Sequence, residues 1–288
     1  ALHIEEFLVP WLEFLKENNL KIDFISYHNY GCLGFYDAKV LGVNALNVNN
    51  HLAKHKRLVN ALETCGYQHL PVVIDEWGAV GGGFKNITQV PELIFRETEV
   101  FPSFFAKLIY KFINSDYIVD KLMLCLSGQH EMTSEFTGFR GFFTLNSIAK
   151  PIYNAYVLAA KLKENILKCS VDDKNVFVVP TIDENKNLAV MVSYSNEDLS
   201  ENLPQREEVL SFDENIIGKT VTLWRIDKNH TNPYRKYEKM GVDILSEEQI
   251  QSLREEGRLK PIARYVADEN QTITLDLTAN SLILITVE

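Results

Sequence analysis

Pro71-Val72-Val73-Ile74-Asp75-Glu76-Trp77-Gly78 decides how this chain is read. A short β-branched run bounded by proline and glycine is the pattern of a buried strand. Its two carboxylates fall at the carboxyl end, where parallel α/β folds place their chemistry. A strand buried on both faces cannot hold acids at mid-length without partners, but at its mouth one of them can point into a polar cleft. Two readings of Asp75 and Glu76 therefore stand side by side. Either one acid works in a cleft, or both cap the strand and bond nearby backbone or arginine.

Working outward, the flanks alternate helix and strand. Upstream, Phe7, Leu8, Trp11, Leu12, Phe14 and Leu15 recur at helical spacing, with Glu5, Glu6, Glu13, Lys16 and Glu17 between them. That predicts an amphipathic helix ending near Asn18-Asn19. A strand is expected over 22–30, and a helix over 48–65 with Leu52, Leu58, Val59 and Leu62 on one face. Downstream, 92–117 predicts one long Phe- and Leu-rich helix, and 120–127 a third strand. Lys150-Pro151 opens a helix over 152–162, with proline at a permitted first-turn position. Residues 1–163 thus read α-β-α-β-α-β-α, the grammar of a parallel sheet with right-handed crossovers. A doubly wound sheet and a barrel both fit. A complete (β/α)8 barrel takes eight strands and ~250 residues, so three strands would make up its last third or so.

From about Lys168 the grammar changes. The segments 176–179, 188–194, 220–226, 272–277 and 282–287 read as strands separated by turn-forming stretches such as Asp183-Glu184-Asn185-Lys186-Asn187. Several alternate apolar and polar residues, as a sheet with one wet face should. An antiparallel β-sandwich over 164–288 is expected. Ser246-Glu247-Glu248-Gln249 fits a capping box opening a helix to about Glu256, with Gly257 as its stop.

Bulk properties narrow the function. The 288 residues are 46% hydrophobic and 24% charged, the balance of an ordinary globular chain. A formal net charge of -10 argues against nucleic acid or an anionic membrane as partner, and leaves room for a neutral substrate such as a sugar. No apolar run approaches the ~20 residues that span a bilayer. Four cysteines without CxxC spacing form no zinc signature and lean towards a reducing, cytoplasmic compartment. His51 and His55 stand at i, i+4 without HExxH chemistry, which reads as a solvated helix face. Neither metal nor cofactor is expected. The chain opens on Ala1 and enters a helical pattern almost at once, which reads as a piece of something longer, with no targeting signal to interpret.

Several stretches together carry a resemblance. They are Asp23-Phe24-Ile25-Ser26-Tyr27-His28-Asn29-Tyr30, the Asp75-Glu76-Trp77 strand end, and Gly141-Phe142-Phe143-Thr144-Leu145 followed by Lys150-Pro151-Ile152-Tyr153-Asn154-Ala155-Tyr156. Arg225-Ile226-Asp227-Lys228-Asn229-His230-Thr231-Asn232-Pro233-Tyr234 comes next, then 246–259. In this order they resemble the later part of glycoside hydrolase family 39, the β-xylosidase and α-L-iduronidase family. The resemblance implies a (β/α)8 barrel, here its strands six to eight over 1–163, followed by an accessory β-sandwich. It implies a retaining glycosidase, a β-xylosidase releasing xylose from xylo-oligosaccharides. Glu76 matches the nucleophile at the end of strand seven. The acid/base glutamate would lie on strand four, before residue 1. His28 matches a sugar-contacting histidine; Tyr30 and Trp77 offer aromatic faces to a sugar, and Phe139 and Arg140 would line the same mouth. Each also has a bland reading, as a loop-bonded histidine or rim packing. The family's strand-eight tryptophan is replaced here by Leu124-Cys125-Leu126-Ser127-Gly128-Gln129, which puts β-xylosidase specificity in question. Glu131 and Glu135 match no acid/base motif and read as solvated loop residues.

Two further readings compete. The chain by itself is a catalytically silent fragment whose open sheet edges are templates for self-association. Or the sandwich is a carbohydrate-binding module, with Trp224 or Tyr234 as a platform; aromatics exposed in a row would favour it, and buried rings would mean core.

Overall fold

The computed structural model describes residues 4–32, 46–81, 83–117, 119–126, 132–199, 202–242 and 244–288. Two compact units emerge, Ala1–Gly83 with Lys111–Leu126, and Phe84–Tyr110 with Ser127–Glu288.

The first unit is built on three parallel strands. A short π-helical turn, Ile4–Leu8, leads into α1 (Val9–Glu17), which buries Leu12 and Leu15. Strand β1 (Ile25–Cys32), helix α2 (Val48–Cys65) and β2 (Val72–Val80) follow. Helix α2 starts where the Asn47 side chain accepts the Asn50 N–H at 3.1 Å, and stops at Gly66, whose φ of 83° only glycine adopts without strain. Its buried face is Val48, His51, His55, Leu58, Ala61 and Leu62. Both histidines are therefore interior, and the expected solvated face is overturned. They stand one turn either way from the apolar positions that face the sheet; His55 Nδ1 lies 2.9 Å from the Tyr27 hydroxyl, and the His51 ring packs edge-on against Trp77.

Strand β3 (Lys121–Leu124) completes the order β1-β2-β3. Both neighbours pair with β2 in parallel, and both ladders skip at the acidic residues. Tyr27 faces Ile74, but His28 faces Glu76, leaving Asp75 as an extra residue. The sheet stays open among the described residues, so no barrel is seen.

In the second unit the helix expected over 92–117 is broken. A 3-10 turn, Pro91–Glu97, ends at extended Thr98, and α3 (Val100–Ile113) begins afresh. The break lies where Arg96, Glu97, Thr98 and Glu99 are all buried. Three of these have tertiary partners that a continuous helix would not serve. After α4 (Pro151–Ala159) come β4 (Asn165–Ile166), β5 (Val176–Ile182), β6 (Leu188–Tyr194), β7 (Arg206–Ser211) and β8 (Thr220–Ile226). Helices α5 (Pro233–Met240) and α6 (Glu247–Glu256) precede β9 (Pro261–Val266), β10 (Thr272–Leu277) and β11 (Ser281–Val287).

The strands form an antiparallel sheet ordered β4-β5-β6-β11-β8-β9 and a two-stranded β10-β7 sheet. Val178, Val190, Val192 and Ile285 of the larger sheet share one core with Ile273, Leu275 and Leu277 of β10. The antiparallel expectation and the capping box hold. Ser246 Oγ accepts from the Gln249 N–H at 3.3 Å, and Gln249 Oε1 accepts from the Ser246 N–H at 2.8 Å. Strands β7 and β9, the two-residue β4 and helix α5 were not expected. Charged Arg206-Glu207-Glu208 conceals the first strand, Pro261 the second, and the turn-like Asn232-Pro233 is in fact a helix start, with Asn232 as its cap.

Candidate active site

Alternation along β1 divides its side chains. Tyr27 and Asn29 are buried, while Ser26 and His28 are exposed and Tyr30 lies between the two classes. The buried set faces α2. Tyr27 Oη and His55 Nδ1 are 2.9 Å apart, and Asn29 Nδ2 donates to Tyr27 Oη at 3.0 Å and to the His51 carbonyl at 3.1 Å. Burial raises the Tyr27 phenol well above its ordinary value, keeping it protonated. Burial, with a smaller push from the Lys54 charge, lowers His51 to about 3. Both groups thus form a neutral packing layer under the strand.

His28 and Tyr30, two residues apart, share the opposite face. Glu76 joins them from β2. The Tyr30 hydroxyl donates to Glu76 Oε1, and His28 Nε2 stands 3.5 Å from Glu76 Oε2. The bulge at Asp75 makes this meeting happen. With Ile74 buried, strict alternation would turn Asp75 out and Glu76 back to the face of Ile74; the extra residue shifts the parity. Gly78 completes the arrangement, because a Cβ there would fall 2.8 Å from Tyr30 Cε1. Lys54 Nζ donates to the Tyr30 carbonyl and Asn50 Nδ2 to the Gly31 carbonyl at 2.9 Å, so α2 also grips the end of β1. Asn29, Asn50 and Lys54 were missed in the sequence; their only signal was polarity on an otherwise apolar helix–strand contact.

The result is a carboxylate with one oxygen held by a phenol and the other beside an exposed imidazole, His28 being 57% and Glu76 27% accessible. Such a group is fixed in orientation and still open to a ligand. Tyr30 meets Glu76 through its hydroxyl, a contact the sequence reading of an aromatic platform did not foresee.

Trp77 is a correction. Its ring is fully buried, packed edge-on against His51 with centroids 6.3 Å apart, so it is core and offers no face to a sugar. Phe139 and Arg140 belong to the second unit and are buried. Their loop is clamped from inside that unit. Glu97 Oε1 accepts from Lys150 Nζ and from the Gly138 N–H, both at 2.7 Å, and Lys150 also donates to the Phe139 carbonyl at 2.9 Å. Glu135 is buried too, its Oε1 accepting from Asn146 N at 3.0 Å and Nδ2 at 2.6 Å, which corrects the solvated reading. Glu131 and the altered Ser127-Gly128-Gln129 stretch lie outside the described residues.

The family profile described as "Glycosyl hydrolases family 39" matches residues 2–269. The chain belongs to glycosyl hydrolase family 39. It is 27% identical over 320 aligned residues to a "Beta-xylosidase" of Caldicellulosiruptor saccharolyticus, covering 100% of this chain and 58% of that protein. Among solved structures, a family 39 β-xylosidase from Caulobacter crescentus superposes with a TM-score of 0.72 at 19% identity, over 99% of this chain and 55% of that one. A monomeric β-xylosidase of Caulobacter crescentus CB15 gives 0.75 at 18% identity, over 98% and 59%. At these identities the structural matches speak for the fold alone. The chain spans a little over half the length of the relatives it matches.

Proposed function

We propose that Glu76 is the nucleophile of a retaining glycosidase that acts on β-xylosides and releases xylose from xylo-oligosaccharides. One observation carries this reading: a carboxylate turned outward by the bulge midway along the central parallel strand, bonded by Tyr30 through Oε1 and 3.5 Å from His28 through Oε2. A glutamate oxygen attacks the anomeric carbon while the glycosidic oxygen leaves with a proton; water then cleaves the glycosyl ester. The Tyr30 hydroxyl favours the charged, attacking form and fixes its rotamer. His28 is placed to donate to a sugar hydroxyl.

Retention requires a second carboxyl group roughly 5–5.5 Å from the first. By the family resemblance, the acid/base glutamate is assigned to a preceding strand of a longer polypeptide. On this reading β1, β2 and β3 are strands six to eight of a (β/α)8 domain over 1–163, and 164–288 is its accessory sandwich. A hollow of about 780 Å³ beside β1, lined by Phe7, Trp11, Phe24, Tyr27, His28 and Leu58, supports the assignment: it offers an apolar seat for an earlier strand and helix.

The test is hydrolysis of a chromogenic β-xyloside by this chain and by a polypeptide extended upstream through the missing strands, each with and without Glu76→Gln. Turnover only in the longer form, abolished by the substitution, is expected. Wild-type rates in the Glu76→Gln form would remove Glu76 from the mechanism. Silence in both wild-type forms would favour the second reading, a fragment that binds glycosides or supports structure without turnover.

A further inference from the structure

A cleft of about 550 Å³ in the second unit is lined by residues that take no part in the Glu76 cluster. Its volume lies within the ~300–1,000 Å³ typical of small-ligand sites. Strand register builds its floor. Arg264 of β9 is opposite Thr222 of β8, and Thr222 is opposite Thr286 of β11. The three side chains thus stand in a row across the sheet, on the face away from the core that receives Val221 and Leu223. Trp224, two residues further along β8, shares that face. Beyond α4 the wall carries Lys161, whose Nζ sits 5.0 Å from the centre of the Trp224 ring.

The chemistry of this row is unusual for so acidic a chain. The cleft gathers Lys161, Lys163 and Arg264 against Glu164 and Glu288 on a protein of net charge -10. Lys163 is shared by Asp183 at 3.6 Å and Glu288 at 4.0 Å. Lys161 and Arg264 have no carboxylate partner among the described residues, and the Thr222 and Thr286 hydroxyls make no hydrogen bond among them. Apart from the Lys163–Glu288 pair and the Lys161 ammonium over the Trp224 ring, these donors and hydroxyls converge on one space without satisfying one another.

We propose that this cleft is a carbohydrate site for a glycan unit that carries a carboxylate, a uronic acid residue. The choice of a glycan rests on the glycosidase reading above; the cleft itself does not. Lys161 leaves the Trp224 ring to stand beside the sugar's carboxylate, which meets the Arg264 fork; the sugar's apolar face takes the ammonium's place on the indole, and Thr222 and Thr286 exchange hydrogen bonds with its hydroxyls. The site takes one sugar unit and not an extended chain. The other platform candidate, Tyr234, is packed against Phe136 and Tyr237 at 5.7 and 6.5 Å between ring centres.

The experiment uses the 288-residue chain bearing Glu76→Gln, so that no ligand is consumed. It is titrated calorimetrically with a glucuronic-acid-substituted xylo-oligosaccharide, with the unsubstituted oligosaccharide, and with inorganic phosphate. The acidic sugar should bind most tightly. Arg264→Gln should weaken it about tenfold and leave the neutral sugar unchanged. Trp224→Ala should weaken both sugars about tenfold, with Trp224→Phe restoring most of the loss and guarding against misfolding. Equal affinity for acidic and neutral sugars, or indifference to both positions, would overturn the proposal. So would phosphate competing through Arg264 as well as the acidic sugar does, which would make the cleft a plain anion site. Should Glu76 prove uninvolved in hydrolysis, a binding loss confined to the cleft variants would still stand on its own.

Discussion

Lys150→Met should be among the most damaging single changes in this chain. Lys150 and Glu97 are 1% and 0% accessible, with nitrogen and oxygen 2.7 Å apart. Removing the ammonium leaves a carboxylate in the interior with only the Gly138 N–H on its bonded oxygen. An uncompensated buried charge of this kind costs about 3–5 kcal/mol. Glu97→Gln makes the mirror-image error, stranding the ammonium with the Phe139 carbonyl, and should cost a similar amount. The double variant is the informative one. A neutral glutamine oxygen still accepts from Gly138, and methionine fills much of the lysine's volume. The main remaining loss is the Phe139 carbonyl's donor, worth about 1–3 kcal/mol. Urea unfolding of the four proteins, followed by circular dichroism, gives the cycle. The reasoning requires the double variant to be more stable than either single one. A double variant as unstable as the sum of the singles would refute it, and would mean that the two side chains act through packing and not through charge.

Stability should fall as pH drops below 6.5, because His51, held at about 3 by burial in the folded state, must take up a proton on unfolding. The slope is at most about 1.4 kcal/mol per pH unit until the folded value is reached, and His51→Gln should flatten it in pH-dependent urea titrations. Asp227 works at lower pH. Burial opposes its charge, but Arg225, the Asn229 N–H and His230 outweigh burial and hold it below the usual carboxylate range. Its stabilisation is therefore complete above about pH 4 and lost as pH falls through the depressed value. Asp227→Asn should be destabilised at neutral pH and converge with the parent in acid. The open edges of β1 and β3 predict self-association of the chain in sedimentation velocity; a monomer across the micromolar range would show those edges to be covered.

The strand carrying Glu76 was legible because β-branched residues between proline and glycine leave few alternatives. Helix α2 was legible to the residue, its two ends written as Asn47 and Gly66. What the sequence hid was parity. Nothing local marks Asp75 as an extra residue, since the bulge exists only relative to neighbours in two other strands. Trp77 was misjudged for that reason: counted from a regular strand it lies beside the site, but after the bulge it turns into the core. The buried His51 and His55 were concealed by their polarity, and the Thr98 break by a periodicity that continues on both sides of it. Strands β7 and β9 escaped because an edge or minor sheet buries too little to impose an apolar pattern.

The Asp227-His230-Asn232 stretch, the most distinctive part of the resemblance, shows why recognisable sequence and chemistry need not coincide. Asp227 Oδ1 accepts from the backbone N–H groups of Asn229 at 2.7 Å and His230 at 2.9 Å, while Oδ2 meets Arg225 and the Thr278 hydroxyl. Asn232 caps α5 and sends its amide to Glu99 Oε2 at 2.8 Å, and Arg235 adds a two-point contact to the same carboxylate at 3.1 and 2.8 Å. Every polar atom named here is spent on another atom of the same unit. A tight turn after β8 is thereby tied to the helix break at Thr98, and substitution at almost any member strands a buried partner. Such a knot tolerates little change, which makes it easy to recognise, and most of its polar atoms are committed to the fold. Glu76 is the opposite case: a short local signal, set in a bulge, with one oxygen bonded and the other near an exposed imidazole. In this chain the most distinctive stretch of the resemblance is bound up in the fold, and the residue proposed for the chemistry is identified only by where three strands place it.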